Sequence, residues 1–114
     1  MVQAPAVKHR TKKREERLAQ LIRIYETGQV SELMDYTVDK LFSVEATEAR
    51  QDIEELSADL SAYEERFGMT SEAFYQRFEA GEMGDSADFI EWASFYDMFL
   101  NAKKRLQAVS GDEV

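Results

Sequence analysis

The chain has 114 residues, of which 44% are hydrophobic and 32% charged, with one proline and no cysteine. This composition is too apolar for a fully disordered protein, allows one modest core, and excludes disulfides and thiolate chemistry. The net charge of −9 is unevenly divided: residues 1–27 carry seven Lys/Arg against three Glu, and residues 28–114 carry seven against twenty acids. An acidic body of this kind repels nucleic acid, although the basic N-terminal part can contact phosphate.

Residues 1–10 are predicted to form a disordered leader. They contain no apolar run long enough for a signal peptide, and no apolar stretch of 18 residues occurs anywhere in the chain. The sequence therefore predicts a cytoplasmic protein without a membrane segment. A single helical domain is predicted over residues 11–109, followed by a flexible tail over residues 110–114.

A basic N-terminal helix is predicted from Thr11 to the glycine at position 28. Its apolar residues recur with the i, i+3, i+4, i+7 spacing of one helix face. They are Leu18, Leu21, Ile22 and Tyr25.

A second, longer helix is predicted from an N-cap at Ser31 to Phe67, because no proline or glycine interrupts this range. Its apolar residues step by three and four, which is the spacing of a heptad seam. The seam comprises Ile53, Leu56, Leu60, Tyr63 and Phe67, and extends backwards through Ala49, Ala46 and Phe42. It weakens around "SVEATEARQ", where the helix is expected to bend or to be jointed.

Two further helices are predicted after Gly68, which suits the left-handed position that ends a helix. Thr70 or Ser71 caps the short third helix, and Asp85 or Ser86 caps the fourth. One broad face of the fourth helix matches the seam of the second, so the two are expected to pack antiparallel through the short connecting helix. That face comprises Phe89, Trp92, Ala93, Tyr96, Phe99 and Leu100. The predicted fold class is therefore all-α.

Nine of the thirteen aromatic residues lie between Phe67 and Phe99. This number exceeds what is required to pack two facing apolar seams against each other. Phe95, Met98 and Ala102 form a second apolar stripe outside the main face of the fourth helix. Surplus aromatic and Met side chains above an acidic rim are typical of a protein-binding surface, although core packing is the alternative interpretation. The candidate partner-binding residues are Phe74, Tyr75, Phe78, Phe95 and Met98.

No catalytic residue, metal site or cofactor is predicted. His9, the only histidine, lies in the charged leader, so no Ser-His-Asp or Cys-His arrangement can be assembled. An E-x-x-E and E-x-x-D pair of the kind that binds Mg²⁺ in helical nucleotide pyrophosphatases is incomplete. Glu45 and Glu48 form the first pair, but Glu82 and Asp85 span a glycine in a predicted turn.

Nucleic-acid binding is predicted only through the basic segment before the first apolar stripe. No zinc-finger spacing or helix-turn-helix pattern accompanies this segment. The candidate residues are Lys8, Arg10, Lys12, Lys13 and Arg14.

The range from Ile53 to Leu106 resembles a family of small bacterial antitoxins encoded beside TumE-type toxins. The similarity comprises a helix ending in a Glu-Arg-aromatic-Gly-Met turn, then S-E-x-F-Y-x-R-F-x-A-G-E, then D-F-x-E-W-A. The upstream "IYETGQVSELMDYTVDKLFSVEA" is similar in looser form, whereas the first seventeen residues are not matched.

The resemblance implies a type II antitoxin, which neutralises a cognate toxin from the adjacent gene by direct binding and often helps to repress its own operon. An acidic helical protein with surplus aromatics suits a basic toxin that acts on nucleic acid. The alternative is a homo-oligomeric helical scaffold or adaptor without catalytic activity. The sequence predicts no enzyme in either case.

Overall fold

Four α-helices make up the fold in the computed structural model, which describes residues 3–111, with side chains from Lys12 onward. Helix α1 is Gln3–Glu26, α2 is Glu32–Phe67, α3 is Ser71–Glu79 and α4 is Ala87–Ser110. The described residues contain no β-strand. The predicted all-α fold is therefore confirmed. The end of the predicted tail, residues 112–114, lies outside the described residues.

Side-chain caps fix the starts of three helices at predicted positions. The Ser31 hydroxyl accepts the backbone N–H of Met34 at 3.1 Å, at the start of α2. Thr70 and Ser86 accept backbone N–H groups in the same way at the starts of α3 and α4. Each cap satisfies a backbone donor that has no partner within its own helix.

The first helix differs from its prediction at the N-terminal end. It begins at Gln3, ahead of the predicted start at Thr11, whereas residues 1–10 were predicted to be a disordered leader. This range has no apolar stripe, but an α-helix can form without one. The proline at position 5 is compatible with the helix because it lies in the first turn. The helix ends near Gly28, whose φ of 72° is accessible to glycine at little cost.

The chain forms two compact units, one up to Val38 and one from Asp39 onward, where the sequence predicted a single domain over residues 11–109. Helix α2 contributes to both units and is one continuous helix across "SVEATEARQ", where a bend or a joint was expected. The two clusters of buried apolar residues both lie in the C-terminal unit. This uneven distribution of core residues accounts for the division into two units.

In the C-terminal unit α2 packs antiparallel on α4, as predicted. Two ion pairs define the direction: Arg66 Nη2 lies 2.9 Å from Asp88 Oδ2, and Arg105 Nη2 lies 2.7 Å from Asp52 Oδ2. The residue number therefore rises along α2 as it falls along the facing α4. Both ion pairs are exposed to solvent, so they show how α2 and α4 are aligned but contribute little to the stability of the fold.

The core of the C-terminal unit has two parts. Near the α3 end, Leu60, Phe74, Trp92 and Ala93 are buried together. At the other end, small alanines on α2 pack against the last turns of α4; this cluster contains Ala46, Ala49 and Leu106. The seam was predicted to continue to Phe42, which the structure leaves half exposed. The reason is that α4 ends at Ser110, just past the residues that contact the two alanines.

No helix in the described part of the chain is both long and apolar enough to cross a membrane.

Candidate protein-binding groove

Helix α4 has two different sides, and one of them carries α3. On that side Phe74 stacks on Trp92 with ring centroids 3.8 Å apart and planes within 5° of parallel. Both side chains are 0% exposed. We call this the covered side, and it closes the larger part of the core.

A chain of hydrogen bonds accompanies the stacking on the covered side. The Trp92 indole N–H donates to Ser71 Oγ at 2.9 Å, and the Ser71 backbone N–H donates to Glu64 Oε2 at 2.8 Å. Ser71 is itself buried. The first helical residue of α3 thus provides the hydrogen-bond acceptor for the one polar group of the fully buried Trp92 side chain.

The tyrosines of the covered side are also held in contacts. The Tyr75 hydroxyl donates to Asp97 Oδ1 at 2.6 Å, and its ring lies 5.0 Å from that of Tyr96. The hydrogen bond to the Asp97 carboxylate, with some desolvation, raises the pKa of Tyr75 to about 12. Burial is the main cause that raises the pKa of Tyr96.

The opposite side of α4 forms an open groove with α2, roughly 460 Å³ in volume in its larger part. Positions 95, 98 and 102 of α4 lie along it at the i, i+3, i+7 spacing of one helix face. The residues lining this part are Asp52, Glu55, Leu56, Asp59, Phe95, Met98, Asn101, Ala102 and Arg105. We call this the open side; Met98 on it is 50% exposed.

A second depression continues the groove towards α3 and shares Asp59 and Phe95 with the first. It is lined by Asp59, Ala62, Tyr63, Arg66, Asp88, Glu91 and Phe95. The combined groove runs from the Asp52–Arg105 pair to the Arg66–Asp88 pair. At 1.5 Å per helical residue this distance along α2 is roughly 21 Å, about four turns of a bound helix.

The groove is acidic around an apolar floor. Five carboxylates line it against two arginines, and each arginine is engaged in an ion pair at one end. Glu55 and Asp59 lie between the two pairs. Glu91 accepts a hydrogen bond from the Tyr63 hydroxyl, and this bond is the largest cause that raises the pKa of Tyr63 to about 12. The groove therefore suits a partner segment that combines apolar and basic side chains.

The five predicted partner-binding residues divide between the two sides. Phe95 and Met98 line the open groove, and Phe95 also packs against the larger core cluster. Phe74 does not line the groove, because it is fully buried against Trp92, so its prediction as a partner-binding residue is wrong and the alternative interpretation of core packing holds for it. Phe78 is half buried against the same core cluster, and Tyr75 is half buried. These three residues hold α3 in place.

The physical reason for this correction is the size of α3. A helix of nine residues must bury its one apolar stripe to be held at all, and Phe74 and Phe78 are that stripe. An acidic rim was expected from the sequence, but the residues on α2 that contribute to it were not named. Its signal was present on α2, where Asp52, Glu55 and Asp59 recur at i, i+3 and i+7.

The carboxylates that were considered for a magnesium site do not come together. Glu45 and Glu48 lie on α2, whereas Glu82 and Asp85 lie in the connection between α3 and α4. Within the described residues no group of three or more His, Cys, Asp or Glu side chains is placed to hold a metal ion. Lys12, Lys13 and Arg14 are exposed on α1. The side chains of Lys8 and Arg10 lie outside the described part of the chain.

No family model matches the chain, and the comparisons with curated proteins and solved structures found no match to it.

Proposed function

We propose that this protein is a type II antitoxin that neutralises a cognate toxin by direct binding, with the toxin seated in the open groove. The observation that carries the proposal is the groove itself, which combines exposed Met98 and half-buried Phe95 with a rim of five carboxylates. The resemblance of residues 53–106 to antitoxins of TumE-type toxins supplies the kind of partner. The proposal assigns no catalytic step to the chain.

The chemistry of the groove favours a basic helical segment of the toxin as the occupant. Apolar side chains spaced at i, i+3/i+4 and i+7 would reach Phe95, Met98 and the floor between them, as in other helix-in-groove complexes. Lys and Arg side chains of the toxin would face the carboxylates. Binding should weaken as ionic strength rises, because exposed charges at the rim are screened.

The test uses the purified product of the adjacent gene and isothermal titration calorimetry. The double variant Phe95→Ala/Met98→Ala is expected to lose at least ~2 kcal/mol of binding free energy, roughly thirtyfold in affinity. The matched control is Ile90→Ala, since Ile90 is also on α4 and is 52% exposed but lines neither part of the groove.

The control should bind like the unmodified protein, and urea unfolding should show that all variants remain folded at the assay temperature. Equal affinity of the double variant and the control would reject the groove as the toxin site. Absence of any complex with the adjacent gene product would reject the antitoxin proposal as a whole.

Contact with operator DNA through the basic segment of α1 is part of the same proposal. Lys12, Lys13 and Arg14 are exposed, and contacts to phosphate would be strongest at low salt. Removing residues 1–17 should therefore weaken operator binding while leaving toxin affinity nearly unchanged. Unchanged operator binding would remove this part of the proposal.

A second candidate function is a homo-oligomeric helical scaffold without a toxin. It is favoured by a different observation, the large apolar side chains exposed on α1 and on the first half of α2. A stable homo-oligomer with no affinity for the adjacent gene product would favour this candidate.

A further inference from the structure

The N-terminal unit exposes large apolar side chains on both of its helical segments. On α1, Leu18 and Ile22 are separated by one helical turn, and both are about half exposed. On the start of α2, Leu33 is 75% and Tyr36 is 65% exposed, at i and i+3. Neighbouring large apolar side chains that are exposed on one helix face are typical of an interaction site.

The two segments that carry these stripes have opposite charge. Residues 12–26 on α1 have five Lys/Arg against three Glu. Residues 28–38 have two acids, Glu32 and Asp35, and no Lys or Arg. The unit therefore contains both halves of a complementary pair, a basic amphipathic helix and an acidic one.

We propose that this surface binds a second copy of the chain, with α1 of each copy lying on the first turns of α2 of the other. In a two-fold symmetric dimer each contact occurs twice, so the basic helix meets the acidic one at both places. The stripe of Leu18 and Ile22 is then covered by Leu33 and Tyr36 of the second copy. The proposal concerns the N-terminal unit alone and does not depend on a toxin.

The dimer surface and the open groove use different residues. None of the four apolar residues of the dimer surface lines the groove between α2 and α4. A dimer built in this way would present two grooves, and each could bind one toxin molecule.

The first test is sedimentation equilibrium on the full chain without any partner. The expected mass is twice 13.2 kDa at high concentration. Leu33→Glu/Tyr36→Glu should raise the dimer dissociation constant at least tenfold, because it places carboxylates in the apolar contact. Ile90→Glu is the control, since it places one carboxylate at an exposed apolar position of the other unit and should leave the mass unchanged.

A charge exchange distinguishes this pairing from non-specific association. Arg17→Glu should weaken the dimer, and adding Glu32→Lys to the same chain should restore it. Helical content from circular dichroism should match the unmodified protein, because the substituted side chains are exposed. Failure of the exchange to restore the dimer would overturn the proposed helix pairing.

Three other results would overturn the proposal. One is an unmodified chain that stays monomeric at all concentrations. Another is a dimer that survives Leu33→Glu/Tyr36→Glu but is lost in Phe95→Ala/Met98→Ala, which would move the interface to the groove. The third is loss of toxin binding in Leu33→Glu/Tyr36→Glu with unchanged mass, which would assign the surface to the toxin.

Discussion

The covered and open sides of α4 use aromatic side chains for different purposes. On the covered side Phe74 and Trp92 are fully buried, and their polar neighbour Ser71 is satisfied. On the open side Phe95 is half buried and Met98 half exposed, within a ring of carboxylates. Apolar side chains therefore close the core on one side of α4 and stay partly exposed on the other. The position of α3 determines which side of α4 is buried and which side stays open.

The largest expected difference between the sides is in stability. Phe74→Ala should lower the free energy of unfolding by about 3–5 kcal/mol, because it leaves a cavity against Trp92 in the core. Met98→Ala on the open side should cost much less, since half of its side chain is already exposed to water. Urea unfolding followed by tryptophan fluorescence measures both. Similar losses of unfolding free energy in the two variants would contradict the distinction between the covered and the open side.

A smaller effect is expected from the buried hydrogen bond of the covered side. Ser71→Ala removes the acceptor of the Trp92 indole N–H and should cost about 1–3 kcal/mol. Asn101→Ala is the matched polar change on the open side, where the residue is exposed, and should remain within about 0.5 kcal/mol. If Ser71→Ala were as mild as Asn101→Ala, the hydrogen bond would not contribute to holding α3.

The smallest expected effect is the dependence of stability on alkaline pH. The pKa values of Tyr75 on the covered side and Tyr63 on the open side are both raised to about 12 by hydrogen bonds to carboxylates. The folded state therefore keeps protons that the unfolded state loses near its ordinary pKa of about 10. Their contribution is fully present below about pH 10 and is lost as the pH rises to about 12.

Comparison with Tyr75→Phe and Tyr63→Phe isolates this contribution from other groups that titrate in the same range. Each variant should lose less stability between about pH 10 and 12 than the unmodified chain. Parallel pH profiles for all three proteins would show that the hydrogen bonds to Asp97 and Glu91 do not hold in solution.

Much of the fold could be predicted from the sequence because it depends on local signals. The caps at Ser31, Thr70 and Ser86 and the glycine at position 68 mark helix ends within a few residues of chain. The antiparallel pairing of α2 with α4 follows from two matching apolar faces. These features can be predicted without knowing which residues are in contact across the fold.

The assignment of aromatics to core or surface could not be predicted, because it depends on which side of α4 receives α3. Phe74 and Phe95 have similar local surroundings in the sequence, rich in aromatic and acidic residues. The two residues differ in burial: Phe74 stacks on Trp92 and is fully buried, whereas Phe95 contacts the ring of Tyr63 and stays partly exposed. The start of α1 was missed for the opposite reason, since residues 3–10 form helix without the apolar periodicity that guided the prediction.

The central claim is that the open side of α4 binds the toxin while the covered side holds the fold. The chain has no cysteine, so a single thiol can be introduced without interference from others. We expect Met98→Cys and Ile90→Cys to react readily with a maleimide in the free protein. Adding the purified product of the adjacent gene should slow the reaction of Met98→Cys at least tenfold and leave Ile90→Cys unchanged. A complex in which Met98→Cys remains fully reactive would contradict the account.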